Sequence, residues 1–433
     1  MKKINILLFF FSLLFALTSR VSALPDLLQI DDKKYKTFEE AIEDIKDNSL
    51  VTIKVINDTL QTPGFKILST SPKNIIIDFD NHTVVLDSAY SIESNILLQE
   101  NSNITLKNGS LIADKNAKIL IQNYSNLTLE NMTLDCTLSK SCKYALSNNS
   151  GEINIIGKTN IYSPKVALDA YWWPSEGYKS GANVTISTLG TIKGDIEMSS
   201  DGSKDSKTLI TINNINHEGK FNIEESLKPN LNINGGVYSS NIEEYINDKA
   251  LKLYKILDKD FYVCSKEELS KELIIKNKVE KEISKSDLEL IKNSINSKYK
   301  IFSYYDISLG NFIKENLISY EDSSNKDILV TLDTSGIEEL EDGYTRKYSI
   351  IRLHNNVSDI LDVNLNEDDT ISFKTNKFST FALAYQDTLI KNVSKNITNP
   401  NTLDNITAHI IILLLSLTIF ITIIRKRKNN FIK

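Results

Sequence analysis

Cysteine is rare in this 433-residue chain, and its odd number limits the disulfides that can form. The three cysteines are Cys136, Cys142 and Cys264. An odd number excludes a complete disulfide framework of the kind that supports small secreted domains. Cys136 and Cys142 are near enough in sequence to close a small loop, and the alternative is two separate buried thiols.

Histidine is rare too, and positive charge is nowhere concentrated in the body of the chain. Histidines occur only at positions 82, 217, 354 and 409, and no cysteine or histidine spacing is typical of zinc. The sequence therefore predicts no metal and no cofactor. The net charge of −6 is spread along the chain without a basic patch, so nucleic acid is not an expected partner.

The N-terminus has the pattern of a secretory signal. Lys2 and Lys3 precede an apolar run over residues 6–17, and small residues follow at 21–23. A basic start, an apolar run of this length and a small-residue exit are typical of a signal peptide. We predict that residues 1–23 are removed by cleavage between Ala23 and Leu24. The alternative is a first transmembrane helix.

A second apolar stretch lies near the C-terminus. Residues 406–424 are mostly apolar, and about 19 residues at about 1.5 Å each nearly match a bilayer core of about 30 Å. The basic residues 425–428 follow directly, and such clusters stay on the cytoplasmic side. The sequence predicts one transmembrane helix over 406–424, a cytoplasmic tail over 425–433, and an exported body at the cell surface.

The linker before this stretch, residues 389–405, contains Asn399, Pro400, Thr402 and Leu403 in the run NPNTL. Pro, one free position and Thr before an apolar span and a basic tail resemble the sorting signal of Gram-positive surface proteins. In that family a sortase-type transpeptidase cuts after the Thr and joins the chain to the cell wall. The family usually has Gly where this chain has Leu403. The alternative is a plain membrane anchor.

Short apolar triplets recur along the body of the chain. They begin at residues 75, 104, 127, 153, 184, 210 and 231, and several precede a turn and a second short strand. Units of this size cannot bury an apolar face alone and must stack. We therefore predict a parallel β-helix over residues 24–247, with Leu106 and Leu129 pointing inward and Thr128 outward. The alternative is an ordinary β-sandwich.

Both ends of this repeat region show features that fit a solenoid. Thr37 and Glu40 form a capping box for a short amphipathic helix, and residues 234–240, NGGVYSS, end the repeats. Residues 31–245 resemble right-handed parallel β-helices of the pectin-lyase-like kind. The resemblance implies that the helix is an N-terminal cap and that residues 234–240 are a closing coil.

The pattern changes after residue 247. Capping boxes at 265–268 and 286–289 predict helices in a connecting segment over 248–300, and the second opens a stretch with apolar residues at helical spacing. Strand patterns return at 301–309, 328–332, 348–354, 370–373 and 381–385. They predict an antiparallel β-sandwich over 301–388. Residues 348–354 and 373–383 resemble an accessory domain of Firmicute surface proteins, which implies a stalk without catalysis.

The repeat region lacks the residues that carbohydrate-cleaving β-helix enzymes use. Its sequence contains no arginine to act as the base of a lyase. Lys107 or Lys118 could take the place of the arginine, but no cluster of aspartate ligands accompanies either lysine. Hydrolases of this fold need paired carboxylates. Asp78 and Asp80 are the best pair, and the alternative is a solvated face beside a turn. We predict no catalytic residues.

One aromatic segment favours binding. Tyr171, Trp172 and Trp173 precede Pro174, and Tyr178 follows, in an irregular insertion between two repeats. Aromatic faces stack on sugar rings, although the segment could instead pack on the solenoid. The sequence therefore predicts a surface-displayed, non-catalytic, adhesin-like protein for a glycan or a host or matrix ligand. The alternative is a membrane-anchored polysaccharide lyase or glycoside hydrolase.

Overall fold

The computed structural model of the chain describes residues 25–46, 48–87, 94–173, 180–201 and 206–390. The predicted signal peptide and its cleavage site, the linker with its sorting-like motif, the membrane span over 406–424 and the basic tail lie outside these residues. Within the described ranges, no helix has the length and apolar character needed to cross a bilayer. The chain forms two compact units, one of residues up to Leu273 with Leu309–Glu321, the other of Ile274–Ser308 with the residues from Asp322 onward.

The first unit is a parallel β-solenoid, as the repeats predict. Its one α-helix among the described residues is α1, Phe38–Asp44. Its strands are β1 (Leu28–Ile30), β2 (Lys33–Tyr35), β3 (Leu50–Val55), β4 (Thr59–Thr62), β5 (Phe65–Ile67), β6 (Asn74–Asp78), β7 (Thr83–Leu86), β8 (Ser94–Leu98), β9 (Asn103–Ala113), β10 (Ile119–Asn123), β11 (Asn126–Asp135), β12 (Tyr144–Asn148), β13 (Gly151–Gly157), β14 (Asn160–Tyr171), β15 (Ala182–Ser199), β16 (Thr208–Glu218), β17 (Phe221–Ile223), β18 (Leu231–Ile233), β19 (Gly236–Tyr238), β20 (Lys252–Lys255) and β21 (Tyr262–Ser265).

Each turn of the solenoid contributes strands to three faces. Face A is formed by β3, β6, β13, β18 and the first parts of β9, β11, β15 and β16. Face B follows it through β4, β7, β19 and the next parts of the longer strands. Face C consists of β5, β8, β10, β12, β17, the second part of β14 and the last part of β15. About six turns separate β3 from β16 on face A.

The two-strand unit that the sequence indicates is therefore incomplete, because each turn has a third strand. The predicted triplets all belong to face A, where Ile104 pairs with Leu127 and Leu127 with Ile153. Insertions of variable length precede or follow the strands of face C, for example residues 136–143 between β11 and β12. These insertions hide the period of the third strand in the sequence.

Alternation along the strands fills the solenoid with aliphatic side chains. Leu106 and Leu129 are 1% and 0% exposed, whereas Thr128 between two buried leucines is half-buried. The predicted inward and outward positions are confirmed. Burying one such leucine stabilises the fold by about 1.5–3 kcal/mol.

One polar ladder interrupts this apolar interior. Asn123 and Asn148 are fully buried and occupy equivalent positions of β10 and β12. Asn123 Nδ2 donates to Asn148 Oδ1 over 2.9 Å, and Asn148 Nδ2 donates to the Asn183 carbonyl over 3.0 Å. The neighbouring turns have Leu98 and Ala170 at this position. Asn123 also bonds within its own turn, since its Nδ2 donates to the Ser125 carbonyl and its Oδ1 accepts from Ser125 Oγ. The bond between the two asparagines, by contrast, requires these two turns to be adjacent.

Antiparallel strands and a helix complete the two ends of the parallel series. At the start, α1 has the predicted capping box of Thr37 and Glu40, and Phe38 stacks on Phe65 with ring centroids 4.9 Å apart. At the finish, β19 pairs antiparallel with β21. Gly236 has a φ of 130°, and a Cβ there would lie 2.8 Å from an Ile215 methyl group. The glycine turn is therefore required for this close approach.

The connecting segment departs from the sequence prediction at its first helix. No helix follows Ser265; its Oγ accepts from Glu267 N instead and forms a local turn, which competes with helix formation. Strand β22, Ser270–Lys278, follows. The second predicted helix exists as α2, Lys285–Ser294, but its N-cap is Ser284 rather than Ser286, since Ser284 Oγ accepts from Asp287 N.

Two antiparallel sheets form the body of the second unit and are sandwich-like, as predicted. In one sheet β30 lies between β26 and the first part of β23, and β27 follows β26. In the other, β29 lies between β25 and β28. The strands are β23 (Lys300–Ile313), β24 (Asn316–Glu321, in the first unit), β25 (Ser323–Asp333), β26 (Tyr344–His354), β27 (Val357–Leu361), β28 (Val363–Leu365), β29 (Thr370–Lys377) and β30 (Ser379–Leu389).

Candidate functional site

The aromatic segment singled out in the sequence divides between surface and interior. Tyr171 is the last residue of β14 on face C, and Trp173 follows two residues later with 42% of its surface exposed. Their ring centroids lie 5.7 Å apart at an angle of 41°. Trp173 N donates to the Asn149 carbonyl over 2.9 Å, which fixes the backbone of this segment against the preceding turn. Tyr178 lies outside the described residues.

Trp172 has the structural role instead. It is 9% exposed, its backbone N donates to Thr208 Oγ1 over 3.2 Å, and Lys207 Nζ lies 5.4 Å from the centre of its ring. Of the four predicted ligand-binding residues, the structure therefore presents Tyr171 and Trp173 together and buries Trp172.

Polar residues continue from this aromatic pair across face C. Ser147, Asp169 and Glu197 occupy one row on successive strands. Asp169 alternates with Leu168 and Ala170, which are both in the core, so its side chain is on the outer surface of the sheet. We use the term face C patch for Tyr144, Ser147, Asp169, Tyr171, Trp173 and Glu197.

Asp169 is the most unusual residue of the patch. It is only 5% exposed, and its Oδ2 accepts from Ser147 Oγ over 2.8 Å. No described residue donates a hydrogen bond to its Oδ1. Burial, and secondarily the charge of Glu197, raises the pKa of Asp169 to about 6 although the Ser147 hydrogen bond opposes the shift. A carboxyl that titrates near neutrality on an outer surface is typical of functional sites.

One lysine stands beside the patch. Lys143 Nζ lies 4.6 Å from the centre of the Tyr144 ring. A hydrogen bond to Tyr144 and, more weakly, the charges of Asp169 and Glu197 raise the pKa of Lys143. Burial raises the pKa of the Tyr171 hydroxyl, and the charges of Asp201, Asp169 and Glu224 add to that shift. Among the described residues, the carboxylates of Asp169, Glu197, Asp201 and Glu224 therefore act on this surface, together with the ammonium groups of Lys143 and Lys207.

The other polar residues named from the sequence have structural partners. Asp78 accepts from Asp80 N and Asn108 Nδ2 and pairs with Lys107 Nζ at 3.3 Å. Asp80 has a φ of 46° in the turn after β6 and pairs with Lys54. The carboxylates of Asp78 and Asp80 thus stabilise the turn after β6 and its contacts with adjacent strands. Lys118 is exposed at the start of β10.

The cysteines are present as buried free thiols. Cys136 and Cys142 flank the insertion that leads into β12, and their side chains are close enough to hydrogen-bond to each other. The predicted disulfide between them stays a prediction. In the part of the chain that the structure describes, three or more His, Cys, Asp or Glu side chains nowhere gather to hold a metal ion.

The sequence predicts Tyr171 and Trp173 of the patch but not Tyr144 or Asp169. The available signal was a single acid in the otherwise apolar run VALDAY, residues 166–171. That signal has no meaning until the third face is recognised, because only the pairing of β12, β14 and β15 brings Ser147 and Glu197 beside it. Comparison with protein-family models, with curated proteins and with solved structures finds no match. Of the predicted resemblance, the structure shows the parallel β-solenoid alone.

Proposed function

We propose that this chain is an exported surface protein that binds glycans through the face C patch. The observation that carries the proposal is the pair of half-buried Tyr171 and exposed Trp173 beside a row of hydrogen-bonding side chains. Sugar rings present C–H faces that stack on aromatic rings and hydroxyl groups that exchange hydrogen bonds with polar side chains. A sheet that is paired on both sides holds these groups in fixed positions, which lowers the entropic cost of binding.

The proposal includes display on the outside of a Gram-positive cell. Its support is the signal-like N-terminus, the apolar stretch at 406–424 and the basic tail in the sequence. The chain is then retained either by a membrane span or by sortase-type transfer after Thr402 to the cell wall. We also propose that the solenoid is right-handed, as parallel crossovers favour, and that it belongs with the pectin-lyase-like folds.

A glycan array probed with the purified full-length chain tests the binding function. We expect binding to one class of glycan, and a loss of at least about tenfold in affinity for Trp173→Ala, because stacking on one aromatic ring contributes about 1 kcal/mol or more. Leu189→Ala is the matched control, since Leu189 is 79% exposed in the turn that connects faces A and B of β15. Equal binding by both variants would show that the aromatic pair is not the site.

Glycoside hydrolysis is the second candidate, and Asp169 favours it. Hydrolases use one carboxyl that is protonated near neutral pH and a second that is ionised. Asp169 has a raised pKa and lies next to Glu197 in register. Release of reducing ends from polysaccharide panels, lost in both Asp169→Asn and Glu197→Gln, would establish this activity. Binding without release of reducing ends supports the non-catalytic function.

A further inference from the structure

We infer that the face C patch selects glycans carrying free amino groups, such as oligomers of de-N-acetylated glucosamine. This inference rests on the proposed glycan-binding function and deepens it by naming the ligand class. It follows from three features of the patch: the sign of its charges, the hydrogen-bonding capacity that Asp169 leaves open, and the placement of its aromatic rings.

The charges on this surface favour a cationic ligand. Asp169 and Glu197 are adjacent in the row, and Asp201 and Glu224 act on Tyr171 from the following turns. Lys143 is the cation beside the row, and it is already engaged with the Tyr144 ring. Lys207 lies over the buried Trp172. Among the described residues these carboxylates outnumber the two ammonium groups, and such an excess of negative charge attracts cations and repels anions.

Asp169 provides an acceptor that a ligand can use. Asp169 is only 5% exposed, and its single described hydrogen bond comes from Ser147 to Oδ2. Oδ1 has no donor from any described residue. A protonated amine, which carries three N–H donors, can supply the missing hydrogen bond and compensate the buried charge.

The aromatic rings complement this acceptor. Tyr171 and Trp173 lie at the end of the strand that carries Asp169, two and four residues further along. Cations bind over aromatic faces. A glucosamine unit combines a ring that stacks on an aromatic face with an ammonium group that a carboxylate holds. A uronate would place its own carboxylate against Asp169 and Glu197, so the patch disfavours acidic polysaccharides.

The test compares three oligosaccharides with the purified full-length chain at neutral pH: hexameric glucosamine, hexameric N-acetylglucosamine and an oligogalacturonate. The first two differ only in the amine and its acetyl group. We expect glucosamine to bind at least about tenfold more tightly than its acetylated form. Added salt should reduce this preference, because it screens partly exposed charges. We expect the oligogalacturonate to bind most weakly.

Variants separate the role of charge from the role of stacking. Glu197→Gln should reduce the preference for the amine several-fold while retaining binding of the acetylated hexamer. Glu130→Gln, a half-buried glutamate on face A, is the matched control and should leave the preference unchanged. Trp173→Ala should weaken both hexamers alike.

Each outcome bears on a different claim. Equal affinity for the two hexamers, or tighter binding of the acidic oligomer, would overturn the inference and leave the proposed glycan-binding function in place. Failure to bind any glycan, on the array or in solution, would overturn both. A preference that persists in Glu197→Gln and falls in Glu130→Gln would place the selecting charge outside the patch.

Discussion

Replacing Asp169 with Asn should stabilise the protein at neutral and alkaline pH. The pKa of Asp169 is raised from 3.8 to about 6 by burial. A raised carboxyl pKa means that the folded state prefers the proton. The stability that protonated Asp169 contributes is complete below the pKa of the unfolded state and is lost as the pH rises through the pKa of the folded state. At about pH 8 the buried charge therefore costs the folded state up to about 3 kcal/mol, at about 1.4 kcal/mol per pKa unit.

An asparagine avoids this cost at every pH. Its Oδ1 can still accept from Ser147 Oγ, the one described hydrogen bond of the Asp169 side chain. We expect Asp169→Asn to raise the free energy of unfolding by about 1–3 kcal/mol at about pH 8 and to change it little at about pH 4. Urea unfolding of the full-length chain at both pH values measures the difference.

Asp195→Asn is the control for this prediction. Asp195 lies on the same face, and its carboxylate accepts from Lys220 N over 2.9 Å and from Asn222 Nδ2 over 3.1 Å. An amide can replace only one of these two acceptor oxygens, so Asp195→Asn should be neutral or destabilising at about pH 8. A change in stability that is equal at both pH values, or a loss of stability at about pH 8, would show that burial does not raise the pKa of Asp169 and would refute the reasoning.

Three further predictions concern the solenoid. Leu129→Asp should cost about 4 kcal/mol of unfolding free energy and Thr128→Asp about 0.5 kcal/mol or less, and urea midpoints that move equally would contradict the alternation. Burial lowers the pKa of His217, so stability should fall as the pH drops below about 6.5, where the unfolded histidine takes up a proton. His217→Phe should reduce this pH dependence of the unfolding free energy, measured by urea titrations. An unchanged pH dependence in the variant would refute the prediction. Oxidised glutathione should accept two electrons and two protons from Cys136 and Cys142, which then form a disulfide. The intact mass should fall by two hydrogens, and the free energy of unfolding should rise by about 2 kcal/mol. A mixed disulfide with glutathione alone would argue against closure of the loop between the two cysteines.

Much of the first unit could be predicted because its core follows one simple rule. An inward aliphatic residue must meet its equivalent one turn away, so the spacing of the triplets beginning at Ile104, Leu127 and Ile153 gives the register directly. The capping box of Thr37 and Glu40 also depends on residues only three positions apart. Such local patterns are visible in a single sequence.

The third face and the site could not be predicted in this way. The strands of face C begin after insertions of different lengths, and their burial comes from long-range pairing rather than from an alternation visible in the sequence. At Ser265 a local pattern gave a wrong prediction. The capping box there predicts a helix, but the Ser265 side chain accepts from Glu267 N and stabilises a turn instead. Asp169 becomes distinctive only through neighbours that are 22 and 28 positions away, Ser147 and Glu197.

The buried asparagines described above have a consequence for how the chain finds its fold. Successive turns of aliphatic residues are nearly interchangeable, so a growing solenoid could add a segment one turn out of place. Asn123 Nδ2 donates to Asn148 Oδ1 only when their own two strands are adjacent. In a chain threaded one turn off, an asparagine would face Leu98 or Ala170 and lose this bond between turns, at a cost of about 0.5–1.5 kcal/mol, while Asn123 would keep its bonds to Ser125 within its own turn. The pair therefore favours the native register of these two turns over a register shifted by one turn.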